Sequence, residues 1–542
     1  MPARPTVRLT IVLMLLLVPT ALPLRAGLTL KQARQHVIMV DERGRYLDPG
    51  SKWKLLSSGA EVDAFSYTNS VSSIEAGIRE FSRTQPSGRG RVVVFAHGGL
   101  NSYRSSKRRL EKLLDGGMVE EGYYPVLLVW NSGFYDSYVE HLLSVRQGEI
   151  RPVLGKITAP VVLVVDVAKG IVRLPLTLAG RWYNDFRTAE MPGRWDSATR
   201  AWEDLEARID DWQHEREDIR PEKAFIRRPK PEGRIRGLGE RMYRLGSYLI
   251  TQPTKIATLP FADGLGTQAW DNMVRRTRTM FQPPEPYDYP AYYRKRLFFR
   301  KVSREERQRD VDNWMARGAV GGDTRRKPDG TMYHFALQLE VWTGTEHVFG
   351  ETLRWEFFGH SMGTMVLNEV FRVAPKIRAS RITYMAAACS IRSFQETLVP
   401  YLRRQKADYS NVVHFHNLCL HRIRERDNSM DMVDIIPRGT LLNYIDDVFA
   451  KPPTITDRTL GSWENVIRAL PDLPGDLRPQ IHNVCFDLLP WSFAGSNTNQ
   501  PQNHGSFSSD FKFWLDEFVR GPGEVPADDP SRPAIRRSPS LK

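Results

Sequence analysis

Short apolar runs and helical patterns alternate in the first part of the chain. Residues 92–96 and 124–130 are continuous apolar runs rich in β-branched and aromatic side chains, and residues 107–114 between them carry apolar side chains at helical spacing. Runs without polar alternation are typical of strands that are buried on both faces of a sheet. A strand, a helix and a second strand at this spacing predict a βαβ unit with parallel strands.

The same alternation returns in the second half of the chain. Residues 355–358 form an apolar run that ends in a glycine turn, and residues 363–373 then follow a helical pattern. Further strand candidates lie at residues 382–388, 412–418 and 483–487. The pattern therefore predicts an α/β fold with a mostly parallel central sheet flanked by helices.

A long insertion, residues 131–330, separates the two parts of this pattern. Its apolar stretch 157–178 includes Asp166, Lys169 and Arg173, which disfavours a plain transmembrane helix. Later parts of the insertion are basic and aromatic, a composition that suits a membrane interface. Nucleic acid is disfavoured as a partner because no recognised nucleic-acid motif accompanies the basic residues. We predict a helical cap or lid, with a membrane surface as a candidate partner.

Both ends of the chain differ from the globular pattern. Arg4 and Arg8 precede an apolar stretch, residues 9–18, and small residues follow it, which predicts a signal peptide or an N-terminal anchor, and hence export or membrane anchoring. The end of the chain is rich in Pro, Ser and charge and is predicted to be disordered. The predicted divisions are the leader (1–26), the first part of the core (27–130), the insertion (131–330), the second part of the core (331–520) and the tail (521–542).

Composition narrows the class of protein. Hydrophobic residues make up 41% of the 542 residues and charged residues 26%, which excludes a mostly disordered, collagen-like or polytopic membrane chain. The net charge of +14 favours encounters with anionic partners, although solubility alone would also account for it. The 3 cysteines, Cys389, Cys419 and Cys485, have neither disulfide nor zinc spacing, so we expect small core residues.

A serine motif stands between a predicted strand and a predicted helix. Residues 359–363 read Gly-His-Ser-Met-Gly and match the G-x-S-x-G pattern. A tight strand-to-helix turn needs glycines and lifts the Ser361 hydroxyl above the sheet, at the positive end of a helix. A Gly-rich start of a buried helix is the structural alternative. The context favours Ser361 as a nucleophile.

A second glycine turn follows the strand at residues 92–96. There His97-Gly98-Gly99 would let a backbone N–H face the site, although an ordinary glycine turn also fits. Acyl transfer needs two donors where negative charge develops on the carbonyl oxygen. The candidate oxyanion donors are the amides of Gly99 and Met362.

Together these motifs resemble the α/β-hydrolase superfamily, and its lipase and esterase members in particular. The resemblance covers about residues 91–130 and 353–518 and leaves out the insertion. It implies a mostly parallel, eight-stranded sheet and a triad in the chain order serine, acid, histidine. It also implies hydrolysis of acyl esters without a metal or a cofactor, so none is expected.

His504 is the preferred triad base. It lies in a polar loop after the last strand candidate and before a predicted terminal helix, residues 511–518, and Gly505 follows it. Such a loop can bring the imidazole over the strand ends. The competing histidines, for which structural packing is the simpler explanation, are His482, His414, His416, His421 and His360.

The triad acid should follow the strand at residues 412–418. Asp427 lies nearest to the expected loop position and is the preferred acid. The alternatives Asp431, Glu425 and Asp434 in the same segment stay open.

The sequence thus predicts a serine hydrolase of the lipase or esterase type. Ser361 would form an acyl-enzyme, with an acyl ester or lipid as substrate. The alternatives are a catalytically silent binding protein with the same fold and a membrane-associated protein whose insertion does the work. Substrate identity and oligomeric state stay open.

Overall fold

The computed structural model of the protein describes most of the predicted core and part of the insertion. The described residues are 27–55, 66–85, 90–146, 149–150, 152–188, 252–281, 330–420, 425, 439–469, 474–486, 501, 503–508 and 511–515. The predicted leader, the predicted tail, and residues 189–251 and 282–329 of the insertion lie outside these ranges.

A parallel sheet forms the centre of the described residues. Its seven strands are β1 (Val37–Met39), β2 (Arg91–Ala96), β3 (Tyr123–Val129), β6 (Arg354–His360), β7 (Arg381–Met385), β8 (His414–Leu420) and β9 (Ile481–Phe486). Their order across the sheet is β1-β3-β2-β6-β7-β8-β9, and all neighbours are parallel. A separate antiparallel pair joins β4 (Val145–Arg146) and β5 (Glu149–Ile150). The predicted α/β class and mostly parallel sheet are confirmed.

Burial of the strands explains why their sequences are almost purely apolar. Every residue of β3 is buried, and so are all residues of β2 and β6 except the first of each. Strands that are covered on both faces cannot alternate polar and apolar side chains. All six predicted strands are present, with ends within three residues of the prediction.

Helices flank the sheet. In chain order they are α1 (Leu30–His36), α2 (Pro49–Lys52), α3 (Tyr67–Thr84), α4 (Tyr103–Asp115), α5 (Phe134–Leu143), α6 (Pro152–Thr188), α7 (Gln252–Thr279), α8 (Thr331–Thr343), α9 (Val348–Thr352), α10 (Gly363–Val373), α11 (Ile391–Tyr409), α12 (Leu441–Tyr444) and α13 (Trp463–Ala469). A π-helical turn, Ile445–Phe449, continues α12. Short 3₁₀ turns lie at Ile455–Asp457, Gly475–Gln480 and Ser506–Ser508.

Apart from the β4–β5 pair, the described part of the insertion is helical, and it packs on the core. Helices α6 and α7 lie side by side, and α7 also contacts α5. Glu140 of α5 binds Arg275 at 2.9 Å and Arg276 at 2.7 Å, which ties the end of α7 to the start of the insertion. At the other side, Thr267 of α7 lies against the carbonyl oxygen of Phe449. None of the described helices is both long and apolar enough to span a membrane.

The end of the chain departs from the prediction. Residues 511–515 of the predicted terminal helix form a turn, because Phe511, Phe513 and Trp514 are all buried. A helix would direct Phe511 and Phe513 toward opposite faces, whereas here both side chains are buried in the same core. Phe513 instead stacks on Phe95 of β2, with ring centroids 5.0 Å apart.

Candidate functional site

The turn between β6 and α10 holds Ser361 in a strained backbone conformation. The φ of Ser361 is 51°, in the left-handed region that residues with a Cβ rarely adopt. Its N–H donates to the carbonyl oxygen of Met385 at 2.8 Å, which extends the pairing of β6 with β7. A Cβ atom on Gly363 would lie 2.0 Å from the carbonyl oxygen of Ala96, so only glycine lets α10 begin this close to β2. Strain of this kind clusters at functional sites.

The peptide group that follows Ser361 is fixed by three hydrogen bonds. The Ser361 carbonyl oxygen accepts from the Thr364 N–H at 3.1 Å, the Thr364 hydroxyl at 2.7 Å and the Ala388 N–H at 3.1 Å. A trans peptide directs its N–H opposite to its carbonyl, so these bonds also set the direction of the Met362 N–H. The Met362 N–H has no acceptor among the described residues. It lies at the positive end of α10.

The loop after β2 is fixed in the same way. The Gly98 carbonyl oxygen accepts from Asn101 Nδ2 at 2.8 Å and from Ser132 Oγ at 3.1 Å, and His97 Nδ1 lies 2.8 Å away. The same planar geometry then sets the direction of the Gly99 N–H. That N–H also has no acceptor within the described ranges.

His97 is a structural residue of this loop. Its Nε2 accepts the N–H of Trp130 at 3.2 Å, so its Nδ1 carries the proton and donates to Gly98. The ring stacks on Trp130 with centroids 3.9 Å apart. Burial lowers the pKa of His97 to about 3, so the ring stays neutral. Both ring nitrogens are occupied, so His97 is not free to act as a base at the site.

Register brings the two turns together. Ala96 pairs with Gly359, so the residues after β2 meet those after β6 at the carboxyl ends of adjacent strands. A Cβ atom on Gly98 would lie 3.0 Å from the Cβ of Ser361, and one on Gly99 would lie 3.6 Å from that of Met362. The structure thus places the predicted nucleophile and both predicted oxyanion donors at one site.

His504 lies at the same strand ends. Its carbonyl oxygen is 3.0 Å from Nε2 of His360, and the two rings have centroids 5.1 Å apart. Because a carbonyl only accepts, Nε2 of His360 carries the proton. The Ser361 hydroxyl and both ring nitrogens of His504 are buried without a hydrogen-bond partner among the described residues, so serine and histidine are not joined here.

Burial sets the charge of the site. It lowers the pKa of His504 to about 4 and that of His360 well below its ordinary value. Both rings are therefore neutral near pH 7, the state that a general base requires. The Ser361 side chain has no solvent exposure, so neighbouring residues cover the site.

The insertion and a later segment provide this cover. The Met273 methyl group of α7 would lie 3.0 Å from a Cβ on Gly99, and a Leu441 methyl group of α12 would lie 3.7 Å from it. Sequence reasoning missed both residues, as it missed Asn101, Ser132 and the contact of His360 with His504. Position after a strand was the only available signal for Asn101 and Ser132.

The acid candidates are described only in part. Asp427, Asp431 and Asp434 lie outside the described residues. Glu425 is buried, and its charge helps to raise the pKa of Cys419, after burial as the larger cause. The Glu425 carbonyl oxygen accepts from the Thr440 N–H at 2.7 Å, which anchors the chain after β8.

The competing histidines and the cysteines pack in the sheet. His414 and His482 have ring nitrogens 3.1 Å apart, and the rings of His416 and His482 stack at 4.7 Å. His421 lies outside the described residues. All three cysteines are free; Cys389 and Cys419 are buried, as expected, and Cys485 is partly buried. The described residues contain no group of three or more side chains that could hold a metal ion.

Comparisons with known proteins add no information about the site, so its interpretation depends on its geometry. No protein-family model, no curated protein and no solved structure matches the chain.

Proposed function

We propose that the protein is a serine hydrolase of the α/β-hydrolase fold that cleaves acyl esters through an acyl-enzyme. The strained Ser361 at the end of the central strand is the observation that carries this proposal. Left-handed strain at a strand-to-helix turn is what a nucleophile elbow requires. The strand order supports the fold, with a glycine loop after β2, the elbow after β6 and His504 after β9.

Two preorganised amides support acyl transfer as the chemistry. The N–H groups of Gly99 and Met362 are each directed by a carbonyl that three donors hold in place. Donors that are fixed in advance need no reorganisation when charge develops on the substrate oxygen. We assign them as the oxyanion hole.

The proposed reaction has two halves. His504 takes the Ser361 proton as the hydroxyl oxygen attacks the ester carbonyl, and the amides hold the resulting oxyanion. The proton then passes to the alcohol oxygen as the C–O bond breaks, which leaves an ester on Ser361. Water, deprotonated by His504, attacks this ester and releases the carboxylic acid and the free serine.

Catalysis also needs a rearrangement and an acid. Ser361 and His504 must come into hydrogen-bond range, which ligand-free sites often lack. We propose Asp427 as the acid that orients His504. In a direct comparison, Asp427→Asn should lower kcat about 10⁴-fold, as loss of the orienting acid does in serine proteases, while Glu425→Gln should retain most of it.

Labelling with a fluorophosphonate, followed by mass mapping of the modified residue, tests the proposal. The probe should label Ser361, and Ser361→Ala should abolish labelling and turnover of p-nitrophenyl esters while the protein stays folded. Ser105→Ala is the matched control, because Ser105 lies on α4 and bonds only within its helix turn. Labelling elsewhere, or unchanged turnover in Ser361→Ala, would contradict the proposal.

A catalytically silent binding protein is the second candidate. The missing hydrogen bond between Ser361 and His504 is the observation in its favour. This candidate predicts that folded protein reacts with no fluorophosphonate and no activated ester.

A further inference from the structure

Helix α6 presents an unusual outward surface. Between residues 157 and 180, none of its exposed residues carries a charge. The most exposed apolar side chains are Ile157 (72%), Val161 (66%), Val164 (68%), Val172 (79%) and Leu176 (65%). At a rise of roughly 1.5 Å per residue, this uncharged face extends over about 35 Å. We call it the outer face of α6.

Between residues 157 and 180 the charged side chains of α6 pair with other groups of the protein, whereas Lys156, just before this range, is exposed. Asp166 is buried, 3.1 Å from Nε2 of His141 and 3.6 Å from Nζ of Lys169. Arg173 lies 3.5 Å from Asp263 of α7. A helix on the surface of a water-soluble protein shows the reverse arrangement, with its apolar stripe inward.

The polar network continues through the hairpin formed by α6 and α7. Asp263 is fully buried, accepts from Thr177 Oγ1 at 2.7 Å and pairs with Lys451. The buried carboxylates of the hairpin are therefore neutralised inside the protein. No charge on the outer face requires water.

Small residues bring the two helix backbones into direct contact. A Cβ atom on Gly170 would lie 1.9 Å from the carbonyl oxygen of Pro260, and one on Gly264 would lie 2.3 Å from that of Asp166. Backbone contact at glycine, polar side chains between helices and apolar side chains outside are together typical of helices that pack within lipid.

We propose that the outer face of α6 docks in the acyl-chain region of a lipid bilayer. An interface between protein chains would instead be expected to carry a polar rim with hydrogen bonds. The positive net charge of the chain favours anionic head groups. The proposal concerns one face of the hairpin and does not require α6 to cross the bilayer.

The inference is independent of catalysis, but it connects to the candidate site. Helix α7, which packs against α6, also carries Met273, and Met273 covers Gly99. Lipid contact on α6 would thus hold the cover of the site next to a membrane surface.

A fluorescent label tests the docking directly. Val164→Cys, in the full chain labelled with bimane, is mixed with vesicles of phosphatidylcholine and phosphatidylglycerol that carry brominated acyl chains. The matched control is Val341→Cys. Val341 is also an exposed valine, with 57% exposure, but it lies on α8, outside the insertion. We expect bromine quenching at position 164 and none at position 341. Equal quenching at both positions, or none at 164, would overturn the proposal.

A charged variant gives a second readout. Val164→Glu combined with Val172→Glu should lower vesicle partitioning at least about 10-fold, since charge in the acyl region is strongly unfavourable. Val341→Glu should leave it unchanged, and circular dichroism checks that each variant is folded. Partitioning is measured by flotation with the vesicles. If the charged variant floats to the same extent as the unsubstituted chain, the proposal is contradicted. Disulfide cross-linking between two unlabelled Val164→Cys chains without lipid quenching would assign the face to a second copy and overturn it.

Discussion

At the scale of single residues, Asn101 should control the rate of the proposed reaction without touching substrate. Its side chain donates to the carbonyl oxygens of Gly98 at 2.8 Å and Gly99 at 3.2 Å. Asn101→Ala would loosen the peptide that directs the Gly99 N–H. Loss of a whole oxyanion donor costs about 10²–10³ in kcat, so we expect a fall of about 10-fold for this weaker effect.

Steady-state kinetics on a short-chain ester separates this role from substrate binding. KM should change little, because the amide acts on charge that develops after binding. Asn411→Ala is the control: Asn411 also donates to a backbone carbonyl, that of Ala379, but away from the site. Equal kcat in Asn101→Ala and the unsubstituted chain would argue against the idea that Asn101 fixes the direction of the Gly99 N–H.

His360 should act as a positioning residue for His504. It donates from Nε2 to the His504 carbonyl oxygen at 3.0 Å. His360→Phe keeps a ring but loses the donor, and kcat should fall about 10-fold or more, since misplacement of a catalytic group is costly. His360→Gln supplies an N–H donor and should restore part of the loss. Equal kcat in the two variants would exclude the hydrogen bond as the cause.

At the scale of elements, the contact of α10 with β2 is a point of high sensitivity. Gly363→Ala would force a methyl group against the Ala96 backbone, where a Cβ would lie 2.0 Å from the carbonyl oxygen. Overpacking typically costs about 1–3 kcal/mol, and backbone cannot yield as a flexible side chain does. We expect urea unfolding to register at least this loss. Gly180→Ala is the control, because nothing lies within 4 Å of its added Cβ.

The strands and helices of the core could be predicted because burial produces local sequence patterns: continuous apolar runs in strands that are covered on both faces, and helical spacing of apolar residues in helices. The helix predicted at residues 363–373 was observed at Gly363–Val373, where glycine and apolar spacing mark its start and face. Strand β1 was missed because its three residues form too short a run. Helix α6 continues past Pro160 and Pro175, which local rules would take as breaks, because packing against α7 supports it.

The candidate site was predictable in its motifs but not in its supports. Ser361, Gly99 and Met362 carry a recognisable spacing, whereas Asn101 and Ser132 act through contacts between segments that the sequence separates. The inward direction of the Asp166 side chain could likewise not be predicted, since it depends in part on His141 of another helix. Long-range contacts of this kind have no local signature in a single sequence.

At the scale of the whole molecule, buried histidines should make the fold acid-sensitive. Burial lowers the pKa of five of them: His36 (to about 4), His97 (to about 3), His504 (to about 4), and His360 and His416 (well below the ordinary value). The unfolded chain binds protons at these sites from about pH 6.5 downward, while the folded chain does not. Their contribution to stability is therefore complete above about pH 6.5 and falls as the pH drops toward 4.

One buried carboxyl opposes this trend. Burial raises the pKa of Asp446 to about 6, so the folded chain binds its proton before the unfolded chain does, and this group alone would add stability as the pH falls from 6 to about 4. Five histidines outweigh one aspartate, since each pKa unit is worth about 1.4 kcal/mol. We expect the free energy of unfolding, measured with urea at a series of pH values, to fall by several kcal/mol between pH 7 and pH 5. His36→Asn should make this fall shallower, because it removes one titrating site far from Ser361, and a free energy that stays level or rises toward pH 5 would show that the histidines do not dominate.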